Sequence, residues 1–170
     1  MLITDDYRDQ VKTLHATSGW GKIGHQFAAY VAELYKRDGH TSVLDYGCGK
    51  GRLADELEHY GISCTNYDPA LEKFNFPPEP HDFVVCFDVL EHIEPDLLEN
   101  VLKDLHRVTR KFGMFTVATR PADKKLPDGR NAHLIIEPRG WWLAKLDPYF
   151  RLVAPPAGDH RQFIVFVRPR

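Results

Sequence analysis

The sequence predicts a doubly wound α/β domain with a mostly parallel sheet, on three observations. Short apolar runs typical of buried strands alternate with amphipathic helical stretches. The first of these strands empties into alternate glycines in V-L-D-Y-G-C-G-K-G, residues 43–51. The last two strand-like runs, 151–154 and 162–167, are separated only by P-P-A-G-D-H and suit an antiparallel C-terminal hairpin.

Each element follows from its own pattern. Residues 22–37 place Phe27, Tyr30, Val31 and Leu34 at helical spacing and stop at Asp38-Gly39, a C-cap signal. Residues 41–46 read as a buried strand, and 52–60 as a helix carrying Leu53 and Leu57 until Gly61 ends it. A second strand, 62–67, ends at Asp68-Pro69, and 81–90 contains F-V-V-C-F, a run suited to a strand covered on both faces. Beyond Pro95, Leu97, Leu98, Val101, Leu102, Leu105 and Val108 form a broad helical stripe. A strand at 112–119 follows, then a polar loop over 120–131, then a short helix at 138–146 with Trp141 and Trp142. Right-handed crossovers gather the C-terminal ends of such strands on one edge, where ligands bind.

Length and composition fit one domain over 1–170, divided into an N-terminal lid or helix (1–38) and a sheet core (39–170). A net charge of −2 excludes a protein built mainly to coat DNA or an anionic membrane. Cys48, Cys64 and Cys86 form no close pair, so neither a disulfide framework nor a cysteine zinc site is expected. The acidic start M-L-I-T-D-D lacks the pattern of a signal peptide, and no window is apolar for the span of a membrane helix. A cytoplasmic protein without a membrane partner, as a monomer or small homo-oligomer, is the expectation.

Glycines at 47, 49 and 51 let the backbone turn tightly and approach a ligand closely. The spacing is not that of a nucleotide-triphosphate loop, and Asp45 at the strand end suits a cationic group or a hydroxyl better than a pyrophosphate. Asp68, ending the second strand, suits the two hydroxyls of a ribose. The two acids favour a nucleoside without phosphates.

The glycine turn, then Y-D-P, then H-D-F-V-V-C-F-D-V-L-E-H-I together resemble the class I S-adenosylmethionine-dependent methyltransferases, whose fold is Rossmann-like. The resemblance covers most of the chain from Thr41 and implies S-adenosyl-L-methionine as cofactor. By position it implies Asp45, Gly47, Cys48, Gly49 and Gly51 around the methionyl part, Asp68 and Pro69 at the ribose, and Asp88 to His92 near the methyl group, with Asp88 and Val89 among the cofactor-binding residues. One departure stands out. Only about fourteen residues separate Asp68 from Asp82, where a helix and third strand are usual, so the third-strand edge of the sheet is expected to be trimmed. Phe74, Asn75 and Phe76 are candidates for contacting the adenine, or belong to a proline-rich surface loop.

Asp88, Glu91 and His92, joined by His133 from beyond the 112–119 strand, are the candidate catalytic residues. A histidine titrates where a general base is useful. The same four offer oxygen and neutral nitrogen donors to Mg²⁺ or Mn²⁺, and the pattern is similar to that of small-RNA 2′-O-methyltransferases, so a metal-assisted reaction on RNA is an alternative. The first reading needs no metal. Cys86 sits inside an apolar strand and reads as core. Arg120, Lys124, Lys125 and Arg130 in the polar loop suit an anionic small-molecule substrate, or form a solvated loop balanced by Asp123 and Asp128. Trp141 and Trp142 read as core, and Trp20 in T-S-G-W-G-K as a lid over the cofactor or an N-terminal anchor. A cofactor-binding module without catalysis is the remaining alternative.

Overall fold

The computed structural model describes residues 1–16 and 24–170; the T-S-G-W-G-K segment with Trp20 lies outside the described residues. Four parallel strands make the centre of a seven-stranded sheet: β1 (Val43–Tyr46), β2 (Cys64–Tyr67), β3 (His81–Phe87) and β4 (Thr109–Ala118). Val43 of β1 pairs with Cys64 of β2 on one side and Phe83 of β3 on the other, and Val85 of β3 pairs with Met114 of β4. The remaining strands are β5 (Phe150–Leu152), β6 (Ala157–Gly158) and β7 (Gln162–Pro169), and the order across the sheet is β2-β1-β3-β4-β7-β5, with β6 beside β7. The expected antiparallel pairing of the last two long runs is present, with Leu152 opposite Val167. It is more than a hairpin, because β7 also runs antiparallel to β4, Met114 opposite Phe166.

Apolar side chains leave both faces of the central strands, which is why β3 reads as an unbroken apolar run. On one face Leu44, Val84, Cys86, Phe115 and Val117 pack under α4 (Leu98–Val108) and α5 (Arg139–Leu146). On the other, Val43, Phe83, Val85 and Met114 meet α2 (Ala28–Arg37) and α3 (Arg52–Glu58). The stripe predicted on α4 is the one it buries: Leu98, Val101, Leu102, Leu105 and Val108. Trp142 is fully buried in the first of these layers, with Trp141 packed edge-on against it at 5.1 Å.

The trimmed edge is real: among the described residues nothing pairs with the outer side of β2. The chain instead turns back, Asp68 donating its N–H to Phe74 O at 2.9 Å. At the opposite end of the strands the buried carboxylate of Asp82 gathers Thr41 (N at 3.1 Å, Oγ1 at 2.9 Å), Lys111 Nζ (2.9 Å) and Arg110 (3.2 Å), tying the start of β1 to β3 and β4. Burial pulls this carboxyl up, but donation from Lys111 and Thr41 outweighs it and holds Asp82 well below the usual carboxylate range.

Several boundaries and one helix differ from expectation, α2 starting at Ala28 and β2 at Cys64, for instance. Strand β4 starts at Thr109, three residues early, because α4 runs straight into it and Thr109 Oγ1 donates to Leu105 O. A helix not predicted at all, α1 (Asp5–Ala16), precedes α2. Thr4 caps it, its Oγ1 accepting Tyr7 N–H at 3.3 Å, and Asp5 and Asp6 suit the positive end of the helix. Among the described residues no helix is long and apolar enough to cross a membrane.

Candidate functional site

A cavity of about 360 Å³ opens at the C-terminal ends of β1, β2, β3 and β4, within the roughly 300–1,000 Å³ of small-molecule sites. One half is built by the glycine turn. Gly47 N–H and Cys48 N–H both donate to Tyr67 O, at 2.7 and 3.0 Å, so the turn folds over the end of β2. Gly47, Gly49 and Gly51 all have positive φ, a conformation that costs other residues. At Gly47 the demand is steric as well, since a Cβ there would lie 2.4 Å from Val89 Cγ2.

Asp45, Gly47, Cys48, Gly49, Asp68 and Pro69 line this half, with Asp88 and Val89 facing them. Gly51 does not. It caps α3 from behind the turn, against Asn66 and Phe74. The Asp68 carboxylate bridges the two backbones, Oδ2 accepting Gly49 N–H at 3.0 Å and Oδ1 accepting Ala70 N–H at 2.9 Å. Burial raises Asp68 above its ordinary range, against the opposing pull of these N–H groups and His15. Among the described residues Asp45 has no such help: burial, reinforced by Asp68, pushes it up to about 7. Asp45 and Asp68, with Asp88 facing them, give this half of the cavity an excess of acid groups, and a cationic ligand is what such a set suits.

The other half holds the candidate chemistry. Asp88, directly after β3, is the sole non-glycine with positive φ (56°) among the described residues, a strain that tends to collect at functional positions. It is held by Thr116 Oγ1, which accepts its N–H at 2.9 Å, and by Gln162 Nε2, which donates to Oδ1 at 3.1 Å. His92 and His133 meet edge to face with ring centroids 4.7 Å apart. His92 Nδ1 donates to Ala132 O at 2.7 Å and His133 Nδ1 to Arg120 O at 2.6 Å; a carbonyl only accepts, so both rings carry their proton on Nδ1. Burial, then the neighbouring His133, lowers His92 to about 4, so it stays neutral at physiological pH. Asn131 shapes the loop that carries His133, accepting the N–H groups of Ala122 and His133.

Glu91 departs from expectation. It is fully buried and does not line the cavity; its Oε1 accepts Ala118 N–H at 2.7 Å from beneath the floor. Among the described residues its Oε2 meets no donor, which a buried ionised carboxylate does not tolerate. Burial and the adjacent Asp88 push Glu91 well above its usual range, the direction that favours its protonated form. This inward turn removes one member of the alternative metal set. Among the described residues no three His, Cys, Asp or Glu side chains gather as a ligand cluster.

Arg120 and Lys124 line the cavity, together with Asp123. Lys125 and Arg130 do not: Lys125 bridges to Asn131, and Arg130 pairs with Asp128 at 2.7 Å. Trp141, Trp142 and Cys86 stay in the core. Phe74, Asn75 and Phe76 also miss the cavity, and Phe76 is 79% exposed. Sequence reasoning missed Gln162, which no local signal marks, and the wall contributed by Ile3 and by Tyr7, Val11 and His15 of α1.

A mostly parallel sheet with helices on both faces and a ligand cavity over a glycine turn defines a class I, Rossmann-like methyltransferase architecture. The model of the methyltransferase-domain family matches residues 19–164, and the chain belongs to that family. Among solved structures, the fold is similar to 1,6-didemethyltoxoflavin-N1-methyltransferase of Burkholderia thailandensis, crystallised with its substrate and S-adenosylhomocysteine (TM-score 0.65, 18% identity, 96% of this chain and 86% of that one). It is also similar to magnesium protoporphyrin IX methyltransferase of Synechocystis PCC 6803 (TM-score 0.58, 18% identity, 98% and 95%). The small RNA methyltransferase HEN1 shares the fold over 85% of this chain but only 25% of its own (TM-score 0.62, 14% identity). No curated protein matches the chain by sequence.

Proposed function

We propose that this methyltransferase moves the methyl group of S-adenosylmethionine to an oxygen or nitrogen of a small anionic molecule. The observation that carries the reading is a single cavity with an acid-and-glycine half, made by Asp45, Asp68 and the 47–49 backbone, and a histidine-and-cation half, made by His92, His133, Arg120 and Lys124. The structural relatives crystallised with S-adenosylhomocysteine support the cofactor. When bound, S-adenosylmethionine supplies a methyl group on a positively charged sulfonium.

The chain's own residues divide the remaining work. Asp45 and Asp68 face the cavity as carboxylates that a cationic ligand compensates. With Nδ1–H committed to Arg120 O, His133 offers Nε2 as the base that takes a proton from the acceptor. His92, neutral and edge-on, keeps that ring in place without a competing charge. Arg120 and Lys124 orient an anionic group on the substrate. The inward turn of Glu91, whose Oε1 accepts Ala118 N–H, argues against a metal-assisted reaction at an RNA ribose.

Calorimetric titration with S-adenosylmethionine and S-adenosylhomocysteine tests the shared premise, and no binding to either refutes it. Labelled cofactor incubated with metabolite and RNA fractions then locates the acceptor. Label in RNA alone refutes the small-molecule reading, and binding without any transfer leaves a cofactor-binding module. His133→Ala is expected to cut turnover by about 10² to 10⁴ while cofactor affinity stays within twofold.

A further inference from the structure

We infer that helix α1, rather than the shortened stretch after β2, forms the wall of the nucleoside pocket, with Val11 and His15 as its binding residues. The inference rests on the cofactor reading above and adds residues that reading does not include.

The trimmed sheet creates the need. Strand β2 is the outermost strand among the described residues, so no further strand flanks the crevice beside Asp68. The residues left between β2 and β3 do not fill the gap. Phe74 sits on the outer side of the glycine turn, where a Cβ on Gly51 would come within 3.2 Å of its ring, and Phe76 points to solvent.

Helix α1 does fill it. Its cavity residues Tyr7, Val11 and His15, continued by Ile3 just before it, recur every fourth position, one stripe along one helical face. Ile3, Tyr7 and Leu14 share an apolar cluster with Ala70, the residue after Asp68-Pro69, and Val11 packs against it. His15 lies close enough to Asp68 for their charges to interact. Three polar contacts fix the helix over the cavity: Thr4 to the Glu94 carboxylate at 2.9 and 2.6 Å, Tyr7 Oη to His92 O at 2.5 Å, and Arg8 Nε to Pro69 O at 3.3 Å. An imidazole beside a carboxylate suits the vicinal hydroxyls of a ribose, and the aliphatic surface of Val11 and Ala70 suits a flat, weakly polar base. Adenosine is the ligand class this wall takes.

The test is calorimetric titration of S-adenosylhomocysteine and of adenosine into the wild type, His15→Ala, Val11→Ala and Phe76→Ala. His15→Ala and Val11→Ala are each expected to raise both dissociation constants about fivefold, the worth of one hydrogen bond or one small apolar contact. Phe76→Ala is expected to leave both unchanged. In the wild type, S-adenosylhomocysteine is expected to slow amide exchange across residues 5–16, a readout that does not depend on any variant folding. A wild type that binds while His15→Ala and Val11→Ala stay within twofold, or an unaltered exchange rate in α1, overturns the inference and leaves the cofactor reading standing. Failure of the wild type to bind either ligand removes both.

Discussion

Asp68 and Gly49, nineteen positions apart, are joined by a hydrogen bond of 3.0 Å from the glycine's N–H to a carboxylate oxygen. The other oxygen accepts Ala70 N–H, so one side chain holds the glycine turn against the end of β2. Asp68 therefore shapes the pocket before any ligand arrives. Asp68→Ala is expected to weaken S-adenosylhomocysteine binding by at least about tenfold and to lower stability by about 1–3 kcal/mol, since two buried N–H groups lose their acceptor. Asp68→Asn is expected to fall between, its NH₂ opposing one of those N–H groups. Titration calorimetry and chemical denaturation measure the two effects.

Asp45 makes cofactor binding pH-dependent. Its folded-state value of about 7 lies above the 3.8 of an unperturbed aspartate, so in the ligand-free protein it is largely protonated at pH 6. A cationic ligand draws that proton off. Affinity is expected to rise with pH by up to about tenfold per unit until it levels off above pH 7, and titrations at pH 6.5 in buffers of different ionisation heat are expected to report proton release. Ligand-free stability has the opposite sign: Asp45's contribution is full below about pH 4 and is lost as the pH climbs to 7. Asp45→Asn is expected to flatten both slopes.

Two glycines separate backbone strain from ligand contact. Gly47 (φ +80°) has Val89 where a Cβ would go, whereas Gly61 (φ +72°) has nothing within 4 Å. Gly61→Ala is expected to cost about 1 kcal/mol in stability and leave binding untouched. Gly47→Ala adds displacement of a cavity wall, and its cofactor affinity is expected to drop at least about tenfold.

Glu91 is predicted to tolerate glutamine and not alanine. Glutamine keeps an oxygen for Ala118 N–H and offers its NH₂ to Asp88, matching the protonated acid. Alanine leaves that N–H without an acceptor and opens a void in a fully buried site, costing about 2–5 kcal/mol. Thermal unfolding of the two variants decides this. A glutamine variant as unstable as the alanine one would show that Glu91 is ionised.

The glycine turn and the acids at the strand ends were legible because each needs a particular residue type at a fixed place: positive φ at Gly47, Gly49 and Gly51, a short carboxylate at Asp45 and Asp68. The direction of Glu91 was not, since spacing alone does not say whether a side chain after a strand turns to the cavity or the core. Helix α1 left a signal that composition hid. T-D-D-Y is a cap followed by an acidic first turn, and Ile3, Tyr7, Val11 and Leu14 keep helical spacing, but charged neighbours make the stretch read as a polar terminus. The early start of β4 was masked in the same way, its first residues Thr109, Arg110 and Lys111 being polar.

Strand β7, the last in the chain, lies between β4 and β5 and hydrogen-bonds to both. During synthesis, then, the ribosome must release residues 162–169 before β4 gains its second neighbour or β5 gains any. Until then Phe115, Val117 and Phe150 lack the partners Phe163, Val165 and Val167 that share their core layer. From the synthesis of β4 until residues 162–169 emerge, the nascent protein carries an open, sticky sheet margin, the condition under which chaperone capture competes with folding.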